Sequence, residues 1–568
     1  MKYVNFLTSL FTGAVTLYIL FLLFSKRIAL SNNEENRFVS TKRYSFYFIL
    51  LLFVQLAIRI YKFGYYPVWY NFDEAMSSYD AYSLMLYGTD HWGNSFPVHM
   101  PAWGYTHQSA LFTYLLVPFI KFLGYNPIAV RIPTLILSTV GAVCLTLTVR
   151  DILGDKMSLI ALLICSLNPW HFVQSRYGID CNLFAHVFIT GLFFIVHFIK
   201  TNKKKYLYIG TIVMALTLYA YIIAAYSVPI FMLMVFIYFL LQKRIDMKTL
   251  LINVLIFVLL VTPIIILILA NLIGVTENIQ IGLLTIPSLS GSDRKQDVLF
   301  LSDNIFVQLF QNLSALIKNI FFQVDSWPWD TIEHYGTMYH CMASLMFCGI
   351  ILIFVSYKRK LQREYIWVLI SYLVMTVLIG LITKDVTVIR RLNVFYYLGM
   401  ILICYSIMAL SDRKKLYYLL VSMFIPLGML MLFSYHHSYL DDLSNSSSIT
   451  GSFPRALNKA KEIAPQKYYI TNNVVGADTD SIAEIYTLVE HKIDPKYFMG
   501  YSTDEGDALS YTEKYNYVNI RDLSVDESEN AVYVVTYDEA KDFSNDTFDE
   551  YAFGLFSVMV PKSIEQGN

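Results

Sequence analysis

A run of about twenty apolar residues, long enough to cross a bilayer as a helix, recurs along most of this chain and constrains its fold more than any other feature. Only helices and closed barrels satisfy every backbone polar group inside hydrocarbon, and continuous apolar runs of this length select the helix. The runs lie near 5–24, 44–61, 128–149, 157–172, 183–199, 207–223, 226–242, 249–270, 340–356, 365–383, 393–410 and 416–434. Composition agrees, since 56% of the 568 residues are hydrophobic, 15% are charged and the mean hydropathy is +0.49. The expected class is an α-helical polytopic membrane protein with about 12 transmembrane helices. The first run follows a single Lys and precedes no small-residue cleavage pattern, so it reads as a span rather than a signal peptide. Six cysteines lie in or beside apolar runs without paired metal-ligand spacing and read as core-filling thiols.

Short loops rich in Lys and Arg stay in the cytoplasm. Lys26, Arg27, Arg37, Lys42 and Arg43 follow the first run, Lys200 and Lys203 to Lys205 the fifth, Lys243 and Arg244 the seventh. Lys358, Arg359, Lys360 and Arg363, then Arg413, Lys414 and Lys415, keep the same register, which predicts both termini outside. Residues 441–568 carry 23 acidic against 10 basic residues, so the neutral whole hides a basic membrane part and an acidic tail. The tail opens on the linker DDLSNSSSITGS and then alternates strand-like (YYIT, AVYVVTY) and helix-like (FPRALNKAKEIA) segments. It is expected to be an extracytoplasmic α/β domain.

This divides the chain into an extra N-terminal helix with a basic loop (1–43), a transmembrane domain (44–434) and the tail (435–568). Two outward segments, 62–127 and 271–339, are too long to be simple connections. The first contains the amphipathic stretch 109–124, interrupted by Pro118 and Lys121, which is expected to lie in the interface rather than to span.

That same segment carries Tyr70-Asn71-Phe72-Asp73-Glu74-Ala75. A positioned carboxylate here is suited to take the proton of an attacking hydroxyl, while the plainer reading is an acidic cap on a helix starting near Ala75. His91, Trp92, Trp103 and His107 follow, the aromatics and imidazoles of a sugar-binding surface or of an ordinary membrane anchor. The spacing of His91, His99 and His107 matches no helical metal-ligand motif. Arg176 and Asp180 stand four residues apart at membrane level, either as a mutual salt bridge or with the arginine toward a phosphate and Asp180 toward a substrate. Arg390 and Arg391 sit at an outer helix entry, where outer loops are normally poor in arginine; a lipid phosphate or plain head-group snorkelling accounts for them. Asp325-Ser326-Trp327-Pro328-Trp329-Asp330 and Tyr335 close the second outward segment, framing an acceptor or anchoring the loop.

The outward Asp-Glu pair after an early span, the amphipathic loop segment, Arg131-Ile132-Pro133 opening the next span and the arginine-rich entry to a late span form a pattern. In it the chain resembles the polyprenyl-phosphate-sugar-dependent glycosyltransferases of the GT-C class. Within that class it is most similar to bacterial relatives of the protein O-mannosyltransferases and of the lipid A aminoarabinose transferases. The resemblance covers roughly 44–434 and leaves out the first span and the tail. It implies an inverting displacement with Asp73 as the catalytic carboxylate and Glu74 its neighbour, and Arg390 or Arg391 at the lipid phosphate. Arg131 and Arg176 fall where relatives carry turn or polar residues, and join them as phosphate-binding candidates. The donor implied is a polyprenyl-phosphate sugar and the acceptor an extracytoplasmic cell-wall polymer, glycolipid or protein. Membrane lipids are expected partners and nucleic acid is not. No cofactor is required, although Asp73, Glu74 and Asp180 are oxygen donors compatible with a divalent Mg²⁺ or Mn²⁺. The alternatives are a transporter or flippase of lipid-linked glycans, and a cell-envelope scaffold without catalysis; the concentration of polar residues in outward loops and the lack of an internal repeat favour the enzyme.

Overall fold

The computed structural model describes residues 1–27, 41–103, 107–289, 304–323, 329–383, 389–439, 449–474, 480–501, 509–526 and 528–565. Compactness divides the chain into two units that interleave in sequence: 1–63, 132–273 and 293–435 form the first, and 64–131, 274–292 and 436–568 the second. The first outward segment and the tail, far apart in the chain, therefore belong to one body.

Helices in chain order are α1 Lys2–Phe24, α2 Thr41–Ile60, α3 Phe72–Tyr87, α4 Ala110–Leu123, α5 Pro127–Leu153, α6 Asp155–Ser166, α7 Pro169–Gln174, α8 Asp180–Thr201, α9 Lys204–Ala220, α10 Ala224–Leu241 and α11 Met247–Leu272. They continue with α12 Ile305–Ile317, α13 Met342–Lys358, α14 Arg363–Ile382, α15 Phe395–Met408, α16 Lys414–Ser422 and α17 Phe424–Ser434. Among the described residues nine helices are long and apolar enough to cross a membrane, and three shorter apolar helices accompany them. Every run marked in the sequence is helical. The run 157–172 is broken in two, because Asn168 caps α7 through its side chain and Pro169 occupies the first helical position.

One long apolar helix, Ile305–Phe322, lies in the segment 271–339 that the sequence predicts as an outward loop. Gln308, Asn312, Ser314, Lys318 and Asn319 lower its hydropathy to 1.3, which hides it from a composition scan although Phe306 and Phe310 are widely exposed. The stretch 109–124 is the short helix α4, with Pro118 inside it. All six cysteines are buried free thiols.

Within the first unit, buried polar side chains tie helix to helix. Arg59, near the end of α2, bonds the carbonyls of Cys165 and Ser166 at the end of α6 and Nδ1 of His171 at 2.7 Å. Because the guanidinium can only donate, His171 Nδ1 accepts and its Nε2–H faces the Tyr397 hydroxyl at 3.0 Å, which in turn donates to His186 Nδ1 at 2.8 Å. α2, α7, α8 and α15 are thus registered by one polar chain, which specifies a packing that apolar contacts alone leave degenerate.

In the second unit the tail builds a five-stranded sheet from β5 Lys467–Thr471, β6 Tyr515–Val518, β7 Ala531–Thr536, β8 Phe548–Ala552 and β9 Phe556–Pro561, in the order β6-β5-β7-β9-β8. β6, β5 and β7 run parallel, and β9 and β8 add antiparallel. β7 is buried along almost its whole length, which explains its unbroken apolar run AVYVV. Tyr533 and Met559 meet Phe543 and Phe548 on one face, while Phe453 of the helix Ile449–Ile463 packs on Phe556. Two short hairpins, β1 His99–Pro101 with β2 His107–Ser109 and β3 Ile279–Ile281 with β4 Leu284–Ile286, complete this unit.

Candidate active site

The acidic motif begins α3, and its two carboxylates have different surroundings. Asn71 is the N-cap: its side chain accepts from the Asp73 amide at 2.9 Å, and the Glu74 carboxylate accepts from the Asn71 amide at 2.9 Å, a reciprocal capping box. Glu74 is fully buried and takes a two-pronged bond from Arg131 in the first turn of α5, Nε to Oε1 and Nη2 to Oε2, both 2.9 Å. The same guanidinium donates to the carbonyls of Pro67 and Trp69 at 2.7 Å. Arg131 and Glu74 together fix the approach to α3. This corrects two expectations. Arg131 is committed to the chain rather than to a donor phosphate, and Glu74 is a cap and ion-pair partner rather than a reacting group.

Asp73 differs. It occupies the first turn of α3 and is partly exposed. Its backbone is held at both ends, the amide by Asn71 and the carbonyl by Gln108 Nε2 at 3.1 Å, with Gln108 anchored in turn by the Ser77 hydroxyl. The capping reading of the motif holds for Glu74.

Farther along the same unit, His91 and Asp80 are both fully buried, with Nδ1 to Oδ1 at 2.6 Å. His91 stacks on the buried Trp103 at 3.8 Å between ring centres, and Trp103 donates to Glu484 Oε2. Burial, with the Asp80 carboxylate close by, pushes the Asp90 carboxyl up from its usual range. His91 and Trp103, expected at a sugar surface, therefore belong to the core of this unit, where a stacked imidazole and indole exclude water. Trp92 is 56% exposed and keeps its availability. His107 is partly exposed and meets His99 at 2.8 Å across the β1–β2 hairpin.

The arginine turn lies in the first unit. Residues Ile389–Leu392 form a 3-10 turn ahead of α15, and Lys384 to Val388 of the motif lie outside the described residues, as do Asp325 to Pro328. Arg390, 22% exposed, lies 3.3 Å from the buried Asp330 and over the Trp329 ring at 5.9 Å. Arg391 is partly exposed. The turn is footed on Asn393, which accepts from Trp170 Nε1 at 2.9 Å and donates toward Asn182 at 3.1 Å and Gln174 at 3.3 Å. The sequence names Asp330 with the segment it closes but does not join it to Asn393, Asn182 and Gln174, whose polarity beside apolar runs is their only local mark.

The remaining candidates in this unit are buried. Arg176 is fully buried and donates to the carbonyls of Arg59, Tyr61 and Lys62 at 2.9–3.0 Å. It closes the C-terminal end of α2, whose last carbonyls have no helical partner, which corrects its expected role at a phosphate. Asp180 is buried at the start of α8 and accepts from the Cys181 amide. Tyr335 is buried with its hydroxyl on Ser434 at 2.7 Å, so it braces α17 instead of facing a substrate. Among the described residues no group of three or more His, Cys, Asp or Glu converges as metal ligands would.

Residues 107–267 match the sequence model of the dolichyl-phosphate-mannose-protein mannosyltransferase family, a stretch that starts after the acidic motif and ends before the arginine turn. No curated protein sequence matches the chain. In fold it is similar to ArnT from Cupriavidus metallidurans in a crystal structure with bound undecaprenyl phosphate, at a TM-score of 0.53 and 11% identity over 93% of this chain and 99% of that one. The Archaeoglobus fulgidus oligosaccharyltransferase tethered with an acceptor peptide gives a TM-score of 0.47 and 13% identity over 78% of this chain. The chain spans 63% of that enzyme's length. The protein is accordingly a multi-pass membrane protein with the GT-C fold, similar along nearly its whole length to ArnT in architecture and over 107–267 to the protein mannosyltransferases in sequence.

Proposed function

We propose that this chain is a membrane glycosyltransferase that moves a sugar from a polyprenyl-phosphate carrier to an acceptor hydroxyl on the extracytoplasmic side, by inverting displacement. The observation that carries the reading is the division of labour in the acidic pair: Glu74 is spent on Arg131 and the helix cap, while Asp73 presents a partly exposed carboxylate on a backbone fixed at both ends. A general base needs that combination of access and fixed position. Asp73 takes the acceptor's proton as its oxygen bonds to the anomeric carbon, and the bond from that carbon to the phosphate oxygen breaks. The negative charge left on the polyprenyl phosphate is met by Arg390 or Arg391, whose planar forks match phosphate oxygens. A guanidinium supplies the charge stabilisation that a divalent ion provides elsewhere, so transfer is expected to persist in a chelator.

The basic loops support a position of the acidic motif and the tail outside the membrane. The test is purified full-length protein in detergent or vesicles with polyprenyl-phosphate sugars extracted from membranes of the source organism, scored for consumption of the lipid-linked sugar. Asp73→Asn is expected to fold and lose consumption; a variant as active as the parent removes Asp73 as the base. Translocation of the lipid-linked sugar across vesicles without its consumption would point to a flippase instead.

A further inference from the structure

We infer that the C-terminal tail is a positioning element for the transfer reaction, holding the acidic motif in place through Tyr486 and Glu490. The inference rests on the reading of Asp73 as the base. The tail helix Asp480–His491 packs against α3 within the second unit, and two of its side chains grip the residues just ahead of the N-cap. The Tyr486 hydroxyl donates to the Tyr70 carbonyl at 2.9 Å, and both residues are buried. The Glu490 carboxylate accepts from the Trp69 indole N–H and, through its other oxygen, from Asn458 Nδ2 at 3.0 Å, which orients it from the helix Ile449–Ile463.

These grips complement those of Arg131. The guanidinium holds the carbonyls of Pro67 and Trp69 from the α5 side, and the tail holds the Trp69 side chain and the Tyr70 carbonyl. Pro67, Trp69 and Tyr70 are thus bonded from two elements shortly before the helix that presents Asp73. The contact extends along α3 and the loop after it: Tyr79 donates to the Ile493 carbonyl at 3.1 Å, Tyr87 to Asp494 Oδ2 at 2.7 Å and Trp103 to Glu484 Oε2 at 2.9 Å. A tail that served only to bind a wall component has no need of buried bonds to the residues flanking a carboxylate. Displacing a reacting group by about 1 Å costs on the order of a hundredfold in rate, so a clamp three and four residues away is read directly in turnover.

The experiment uses the full chain and two readouts. Hydrogen exchange over residues 70–76 is expected to accelerate roughly five- to tenfold in Tyr486→Phe, the loss of one buried hydrogen bond, with exchange in the tail sheet unchanged. In the consumption assay, with polyprenyl-phosphate sugars extracted from membranes of the source organism, Tyr486→Phe and Glu490→Ala are expected to lower kcat about tenfold while leaving the donor KM unchanged. Glu490→Gln keeps an acceptor for the Trp69 N–H and is expected to restore most of kcat. Unchanged exchange over 70–76, or an unchanged kcat in both Tyr486→Phe and Glu490→Ala, overturns the inference. If Asp73→Asn consumes donor like the parent, it is the base assignment that fails; if Asp73→Asn is inactive and the two tail variants are not slowed, it is the clamp.

Discussion

The acidic start of α3 and the arginine turn before α15 both carry two adjacent charged residues, yet the two pairs are built differently. At α3 one member is consumed: Glu74 is buried in a fork with Arg131 and closes the helix, leaving Asp73 partly exposed. At the turn both members, Arg390 and Arg391, keep partial exposure; Arg390 lies 3.3 Å from the buried Asp330, and the turn itself is footed on a neutral amide and indole network on Asn393. Cost explains the contrast. A buried carboxylate needs a matched cation and donors to offset its desolvation, whereas a guanidinium left near solvent needs only a foothold. Arg59, Arg131 and Arg176 make the same point from the other side, since each is fully buried and each is bonded to carbonyls that would otherwise be unsatisfied.

The largest effect expected from this comparison is at Asp73. Asp73→Asn should lower transfer about 10²–10⁴-fold with an unchanged melting midpoint. If the midpoint falls in step with activity, the two carboxylates are not divided as described. Glu74→Ala should cost about 3–5 kcal/mol of stability in a denaturation series, because it strands a buried guanidinium; replacing Arg131 as well, as Glu74→Leu with Arg131→Met, should recover much of that loss. At the turn, Arg390→Ala and Arg391→Ala should differ from each other. On the proposed reading one of them meets the lipid phosphate, and its replacement should weaken binding of a polyprenyl phosphate by about 1.5–3 kcal/mol while the other changes it little. Equal effects would show a shared site.

The smallest effect concerns pH. Burial, opposed by the bonds from Trp69 and Asn458, pushes Glu490 up from its ordinary 4.5 to about 7. An acid whose proton is held more tightly in the fold stabilises it fully below about 4.5 and loses that contribution as pH rises to about 7. The melting midpoint of Glu490→Gln minus that of the parent should therefore grow from pH 4.5 to 7 and level off above. His491, buried and depressed to about 4, acts in the opposite sense and is present in both proteins, so the difference isolates Glu490.

Much of this was legible in the chain. Apolar runs gave helices, the YYIT and AVYVVTY segments are β5 and β7, and the acidic motif marks a helix start. The break at Asn168-Pro169 and the polar-studded Ile305–Phe322 were missed because composition averages over single residues that cap or dilute a helix. Among the site candidates, polarity alone could not separate Asp73 from Glu74, nor Arg390 from Arg176. His91 and Trp103 have the chemistry of a sugar surface but the burial of a core.

What the sequence determined by itself is what depends on neighbours a few residues away: helical periodicity, caps, span length, and the polarity contrast between membrane part and tail. The tertiary structure alone decided which charges are spent on the fold, because that depends on partners the chain returns from afar. Arg131 reaches Glu74 across 57 residues, and Tyr486 reaches Tyr70 across 416. No local pattern records such a meeting, yet it is what leaves Asp73 as the accessible carboxylate of its pair and joins the tail to the motif.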